Sequence, residues 1–286
     1  MSKQLKVAYL GPAATFSHEA AIKHFGPDTI YLPVPTIPDI FFVTARGEVD
    51  YGIVPVENSL GGAVTYTLDM FTRPEPELAA LTILAEVNLP IVQNLLVAPD
   101  GPKSLDDIEI VYSHPQALAQ CRDWLRKNLP KAELQEVAST SRAAELARDN
   151  LKAAGISNRL AAEPYGLRIF ATDLQDADFN QTRFLVIGRE PVIPAESDQR
   201  GQYTTAIMLS IKDRVGALHA VTSIFVKYGL NMNRIESRPS KQKAWDYVFF
   251  IDFIGHPSQP HVAAALEELN SVTDRVKVLG AWLREA

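Results

Sequence analysis

Asn180-Gln181-Thr182-Arg183-Phe184-Leu185-Val186-Ile187-Gly188 sets an amide, a hydroxyl and a guanidinium directly ahead of a short apolar run that closes in glycine. Phe184 to Ile187 reads as a strand covered on both faces, because a half-solvated strand would alternate. Polar groups at the head of such a strand lose water on burial and need partners. Taken alone, the triplet is an ordinary solvated strand start, with Asn180 in a turn and Arg183 paired with a surface acid. The rest of the chain decides whether it is more.

Upstream, 5–11 reads as a strand and 12–25 as a turn and an amphipathic helix, with Phe16, Ala20, Ala21, His24 and Phe25 on one face. A helix over 38–46 ends at Gly47, and 51–57 is another strand. This alternation predicts a mainly parallel sheet. Segment 81–98 holds two apolar stretches broken by Glu86, Asn88, Gln93 and Asn94, after which the pattern restarts. A strand over 109–114 precedes a helix from Pro115, a strand over 133–138 precedes a hydroxyl-capped helix over 141–150, and 159–163 reads as a short strand. Two α/β lobes with a cleft between them are expected over 1–190, the second spanning roughly 98–175. Two prolines, Ser197, Asp198 and Gly201 mark 191–202 as a linker. Beyond it, strand 203–211, helix 216–228 stopped by Gly229, strands 231–238 and 244–254, helix 261–269 and strand 276–283 give the order βαββαβ. That order is a ferredoxin-like domain over 203–286.

The chain has 286 residues, more than one core usually serves. At 47% hydrophobic and 22% charged it has the composition of an ordinary globular protein, and a net charge of -6 gives no basic field for nucleic acid. A small molecule is the expected partner. Cys121 is the single cysteine, so an intrachain disulfide is excluded and a reducing, cytoplasmic setting is expected. No apolar run of about 18 residues and no signal-like segment predict a membrane association. His114 has no second histidine at i+3 or i+4, and no cluster of acids supplies oxygen ligands, so no metal site is expected. Gly61-Gly62 is a turn signal and not a phosphate loop. What remains is cofactor-free chemistry on a small anion.

Four polar strand ends stand out: Thr15-Phe16-Ser17, Pro55-Val56-Glu57-Asn58-Ser59, Ser113-His114-Pro115-Gln116 and Thr182-Arg183-Phe184. Each begins or ends an apolar strand, so all four are candidates to face one cleft. Helix capping accounts for the hydroxyls individually but does not require Glu57, Asn58 and Arg183 as well.

Gly11-Pro12-Ala13-Ala14-Thr15-Phe16-Ser17, Val54-Pro55-Val56-Glu57-Asn58-Ser59, Ser113-His114-Pro115-Gln116-Ala117-Leu118-Ala119-Gln120-Cys121 and Asn180-Gln181-Thr182-Arg183-Phe184 resemble the successive motifs of prephenate dehydratase. Gly216-Ala217-Leu218 and Glu236-Ser237-Arg238-Pro239 resemble the regulatory ACT domain of the same family. Ala14 departs from the family's usual glycine, and 155–164 is a loose version of its alanine-rich segment. The resemblance implies an α/β fold with a two-lobed, periplasmic-binding-protein-like catalytic domain followed by the ferredoxin-like ACT domain. It implies loss of CO2 and water from prephenate to give phenylpyruvate, with no cofactor. Thr182 is then the key hydroxyl, orienting the leaving group, and Glu57 is the alternative acid. Thr15, Ser17, Asn58, Ser59, Ser113, Gln116, Gln120, Arg183 and Phe184 are expected to bind substrate. Gly216, Ala217, Leu218, Asn231, Glu236, Ser237, Arg238 and Pro239 are expected to bind phenylalanine between subunits of a homodimer or homotetramer. Two other readings stay open: an arogenate dehydratase, and a non-catalytic small-anion binding protein with an amino-acid sensing domain.

Overall fold

Val7, Ala8 and Tyr9 are buried in the first strand, β1 (Lys6–Leu10), around which the first lobe is built. The computed structural model describes residues 4–191, 203–211, 214–241 and 246–284. After β1 come α1 (Phe16–Phe25), β2 (Ile30–Val34), α2 (Ile37–Ala45), β3 (Tyr51–Asn58), β4 (Gly62–Ala63), α3 (Thr65–Phe71), α4 (Pro76–Ala79) and β5 (Thr82–Pro90). The second lobe holds β6 (Asn94–Val97), β7 (Ile110–Ser113), α5 (Pro115–Gln120), α6 (Arg122–Asn128), β8 (Glu133–Glu136), α7 (Thr140–Asp149), β9 (Ala153–Ser157) and β10 (Arg168–Ala171). The chain returns to the first lobe as β11 (Gln181–Gly188) and continues into β12 (Tyr203–Ser210), α8 (Ala217–Lys227), β13 (Met232–Pro239), β14 (Tyr247–Ile254), α9 (Pro260–Val272) and β15 (Arg275–Leu283).

Helix starts are set by side chains that accept the first free N–H groups: Thr15 for α1, Thr36 for α2 and Ser139 for α7. The fold is α/β, with sheets less parallel than the alternation predicts. Strands β2, β1 and β3 run parallel, whereas β11 is antiparallel to both β3 and β5. In the second lobe β8, β7 and β9 are parallel, and β6 and β10 are antiparallel. The antiparallel members, β5, β6, β10 and β11, are those that carry the chain between lobes, with no helical crossover to turn them parallel. The strand expected over 159–163 is instead a single 3-10 turn, Arg159–Ala161, capped by Asn158. The strand lies just before it as β9, all of whose residues are buried. Its Gly155 allows α7 to pack directly on it, since a Cβ there would stand 2.7 Å from Ala143 O.

The C-terminal strands are ordered β13-β14-β12-β15 and antiparallel, with α8 and α9 on one face over Ile207, Leu209, Ile251 and Phe253. The opposite face, with Ala206, Met208, Phe250 and Trp282, joins the first-lobe core at Val56, Phe71, Leu185 and Ile187. The two sheets are also one ladder, because β15 pairs in parallel with β5 at Gly280 and Ile83. A side chain at Gly280 would run into Ile83 O, so the join needs glycine. The linker expected over 191–202 lies, past residue 191, outside the described residues. No described helix is long and apolar enough to cross a membrane.

Candidate active site

The cleft between the lobes has a volume of about 480 Å³, and its walls come from strand ends and helix starts. The first lobe supplies Gly11 and the α1 start at Thr15, Phe16 and Ser17, then Pro55 and Asn58 of β3, Gly61 to Val64, and Thr182 and Phe184 of β11. The second lobe adds His114, Gln116, Ala117 and Gln120 of α5 and the start of α7 at Ser139 and Thr140; Gln93, on the crossing segment, completes the wall. Among the described residues no lysine, arginine or carboxylate lines it. Apart from His18 N and Arg142 N, which the Thr15 and Ser139 caps accept, the first-turn N–H groups of α1 and α7 have no acceptor within their own helices, so both helix starts offer donors to an anion.

Loop 11–15 ties the two walls together. Ala14 adopts φ 60, a left-handed backbone that glycine tolerates best, and its methyl is buried with Leu96, Ala98, Ala144, Ala161 and Leu167 of the second lobe. Ser141 Oγ donates to Ala13 O at 2.8 Å across the same seam. His18 Nδ1 accepts from Ala14 N at 3.1 Å, and its ring stacks on Tyr9 with centroids 4.5 Å apart. Burial lowers the His18 pKa, and burial with help from Tyr165 pushes the Tyr9 phenol up to about 12, so both rings are neutral near pH 7.

Thr182 and Asn58 face each other across β11 and β3. Asn58 Oδ1 accepts from the N–H groups of Leu60 and Gly61 at 3.0 and 2.8 Å, which fixes the amide's orientation. Asn58 Nδ2 therefore points the other way and shares its protons among Thr182 Oγ1, Asn180 Oδ1 and Gln181 O, each at 3.0 Å. With its oxygen accepting from Asn58, the Thr182 hydroxyl is left to donate its own proton toward the cleft.

Thr15, Ser17, Asn58, Gln116, Gln120, Thr182 and Phe184 are thus brought together, and four expected site residues are not. Arg183 leaves the cleft because side chains alternate along a strand: Thr182 and Phe184 share one face, and Arg183 takes the other. There its Nη2 meets Glu86 Oε2 and Asp252 Oδ2, both at 2.8 Å. Glu57 follows it, because the pairing of Arg183 with Glu57 and of Phe184 with Pro55 leaves Val56 as an extra residue. The bulge turns both Val56 and Glu57 from the cleft, and Glu57 Oε2 lies 3.3 Å from Arg234 Nε. Ser59 closes a loop, donating to Phe179 O and accepting from Gln181 N at 2.9 Å each. Ser113 is fully buried and donates to Ile156 O at 2.8 Å, bracing β7 against β9.

Gln93, Ser139 and Thr140 line the cleft without having been expected there, and His114 lines it as part of the strand end at 113–116. Gln93 is buried and its Nε2 donates to Gln120 Oε1 at 3.1 Å; its interruption of an apolar run was the visible signal. His114 caps α5, its Nδ1 accepting from Gln116 N at 3.3 Å.

In the C-terminal domain Gly216 takes φ 79 at the start of α8, leading into Ala217 and the partly exposed Leu218. Asn231 lies past the other end of that helix, beside a cavity of about 270 Å³ with Tyr203, Gly255 and His261. Glu236 to Pro239 lie on β13, the edge strand, with Ser237 and Pro239 exposed. Arg238 is taken by Asp69 of α3, its Nε 3.1 Å from Oδ1, because the β13 alternation turns it toward the first lobe.

Two family models match the chain, prephenate dehydratase over residues 7–192 and ACT domain over 205–271. The bifunctional chorismate mutase/prephenate dehydratase of Aquifex aeolicus is 46% identical over 99% of this chain and 74% of its own length. The prephenate dehydratase of Bacillus subtilis is 36% identical, covering 97% of this chain and 98% of its own length. Among solved structures, prephenate dehydratase from Arthrobacter aurescens in complex with L-Phe superposes with a TM-score of 0.87 at 32% identity, over 98% of this chain and 90% of that one. With both of its parts matched in order and a cleft assembled from the same motifs, the chain belongs to the prephenate dehydratase family, carrying an ACT domain at its C-terminal end.

Proposed function

We propose that this cleft takes up prephenate and releases phenylpyruvate, CO2 and water, with Thr182 at the departing ring hydroxyl. The observation that carries the reading is the Thr182 and Asn58 pair, in which the asparagine amide donates to Oγ1 and so directs the threonine proton outward. In the reaction the ring C–O bond breaks as the bond to the ring carboxylate gives its electron pair to the ring. The leaving oxygen departs as hydroxide and becomes water by taking one proton from solvent. A threonine hydroxyl is too weak an acid to surrender its proton outright, so Thr182 orients and hydrogen-bonds the leaving group. Aromatisation supplies the driving force, and holding the dienyl ring against Phe184 and Phe16 supplies the geometry.

The two substrate carboxylates are received by the helix starts of α1 and α7, at Ser17, Ser139 and Thr140, and by the amides of Gln116 and Gln120. No cation is among these groups, and the chemistry gains from that. A guanidinium clamped on the carboxylate that becomes CO2 would stabilise the ground state more than the transition state.

Phenylalanine is the proposed effector of the C-terminal domain, at the Gly216 turn. Helix α8 has 11 residues and so is about 16 Å long at the usual rise per residue, with the Gly216 turn before its start and Asn231 beyond its other end. That separation supports a site completed by a second subunit, in a homodimer or homotetramer, with Arg238 serving Asp69 instead of the ligand. The lone buried Cys121, whose thiol burial pushes up to about 12, suits a cytoplasmic setting.

Incubating the purified protein with prephenate and with arogenate, and following phenylpyruvate and phenylalanine, tests the reading. Phenylpyruvate from prephenate is expected; product from neither substrate removes the enzyme reading, and faster turnover of arogenate replaces the substrate. Phenylalanine is expected to alter activity or oligomer size, and Gly216→Val to abolish that response.

A further inference from the structure

Arg183, Arg234, Glu57, Glu86 and Asp252 form a cluster of two guanidiniums and three carboxylates behind the cleft, and nothing in the chemistry at Thr182 uses their charges. Glu57, Glu86 and Arg183 come from the first lobe, Asp252 and Arg234 from the C-terminal domain. The side chain of Asp252 is 7% exposed and that of Arg183 16%. The two domains already share an apolar core here, and apolar side chains of similar volume would hold them at least as well as charges do. Cohesion alone therefore does not account for the cluster. Its place does: Thr182 pairs with Asn58 on one rung of the ladder, and Arg183 pairs with Glu57 on the next. Each catalytic strand sends one residue to the cleft and its neighbour to the charges.

We propose that Arg183 is a positioning residue, through which Asp252 of the C-terminal domain and Glu86 of β5 hold β11 in the register that keeps Thr182 Oγ1 on Asn58 and on the substrate. A charge-assisted hydrogen bond is directional, so it fixes the strand along its own axis where apolar contact lets it slide. The proposal rests on Thr182 standing at the leaving hydroxyl.

The test measures kcat and KM for prephenate in the full chain carrying Asp252→Asn, Arg183→Lys or Arg183→Gln, and Asp252→Asn combined with Thr182→Ala. Asp252→Asn is expected to lower kcat about tenfold and leave KM within about twofold, and Arg183→Lys to lose less than Arg183→Gln. On the Thr182→Ala background Asp252→Asn is expected to cost less than about twofold, since no hydroxyl remains to be positioned. A rise in KM at unchanged kcat, or the same tenfold loss with and without the Thr182 hydroxyl, overturns the proposal. Normal turnover by Thr182→Ala alone removes the reading of Thr182 itself and the proposal with it. Should an Arg183 variant fail to fold, Glu86→Gln takes its place under the same criteria.

Discussion

Two successive rungs of the β3 and β11 ladder have the same backbone and opposite surroundings. The Thr182 and Asn58 rung faces the cleft, is joined by neutral hydrogen bonds, and touches no formal charge. The Arg183 and Glu57 rung faces the C-terminal domain, where burial pushes the Asp252 carboxyl upward against the pull of Arg183 and Arg234. Chemistry that releases CO2 from a carboxylate is served by weak, directional, neutral donors. Strand positioning is served by strong charged ones. The strand's period of two separates the demands by a single residue.

Removing the charged rung is expected to cost the most stability. Arg183→Met leaves the buried Asp252 and the half-buried Glu86 with one cation fewer, and loss of the partner of a buried charge such as Asp252 costs about 4 kcal/mol. Urea denaturation should show that loss as a lower midpoint at unchanged slope; a loss below about 1 kcal/mol would place the charges in effective contact with water. Thr182→Ala should do the reverse. In the proposed reaction it removes the donor at the leaving group, so kcat should fall by a factor on the order of 100, about 2.7 kcal/mol of barrier, while the unfolding midpoint moves little. If instead it unfolds the protein and spares kcat, the division between the rungs fails.

This division was only half legible in the sequence. Alternation alone places Thr182 and Phe184 together and Arg183 apart, yet a contiguous Thr-Arg-Phe motif invites reading all three into one site. The β3 side was not legible, because only the bulge at Val56 turns Glu57 away while Asn58 returns to the cleft, and no residue type announces it. The lobes and the βαββαβ order followed from periodicity. The join at Gly280 did not, since a single close backbone approach leaves one glycine and no pattern. Ser113 was misplaced for a related reason: a hydroxyl at a strand end serves a neighbouring carbonyl as readily as a ligand, and its partner Ile156 lies 43 positions away.

Asn58→Asp sharpens the neutral rung. The side chain keeps its shape and still accepts from Leu60 and Gly61, but it can no longer donate to Thr182 Oγ1. The carboxylate would take the threonine proton for itself and turn it from the substrate, so kcat should fall about tenfold or more. A variant as fast as the parent would show that the polarity of the Thr182 hydroxyl is immaterial, and the hydroxyl would then act as a spacer.

Glu57→Gln has the smallest expected effect and separates the rungs most finely. Its side chain is 41% exposed, it stands 3.9 Å from Arg183 Nη1 against 2.8 Å for Glu86, and it does not line the cleft. A half-solvated pair of this kind contributes under about 1 kcal/mol. Loss of its charge should therefore lower kcat by no more than about threefold, with KM unaltered. A fall of about 100-fold would mean that Glu57 swings past the bulge to protonate the leaving hydroxyl, as a general acid must reach it. The bulge argues against that swing. To bring Glu57 into the cleft the extra residue at Val56 would have to be absorbed, which would set Glu57 opposite Thr182 and push Asn58 off it. The same carboxylate cannot enter the cleft without dismantling the neutral rung that orients the hydroxyl.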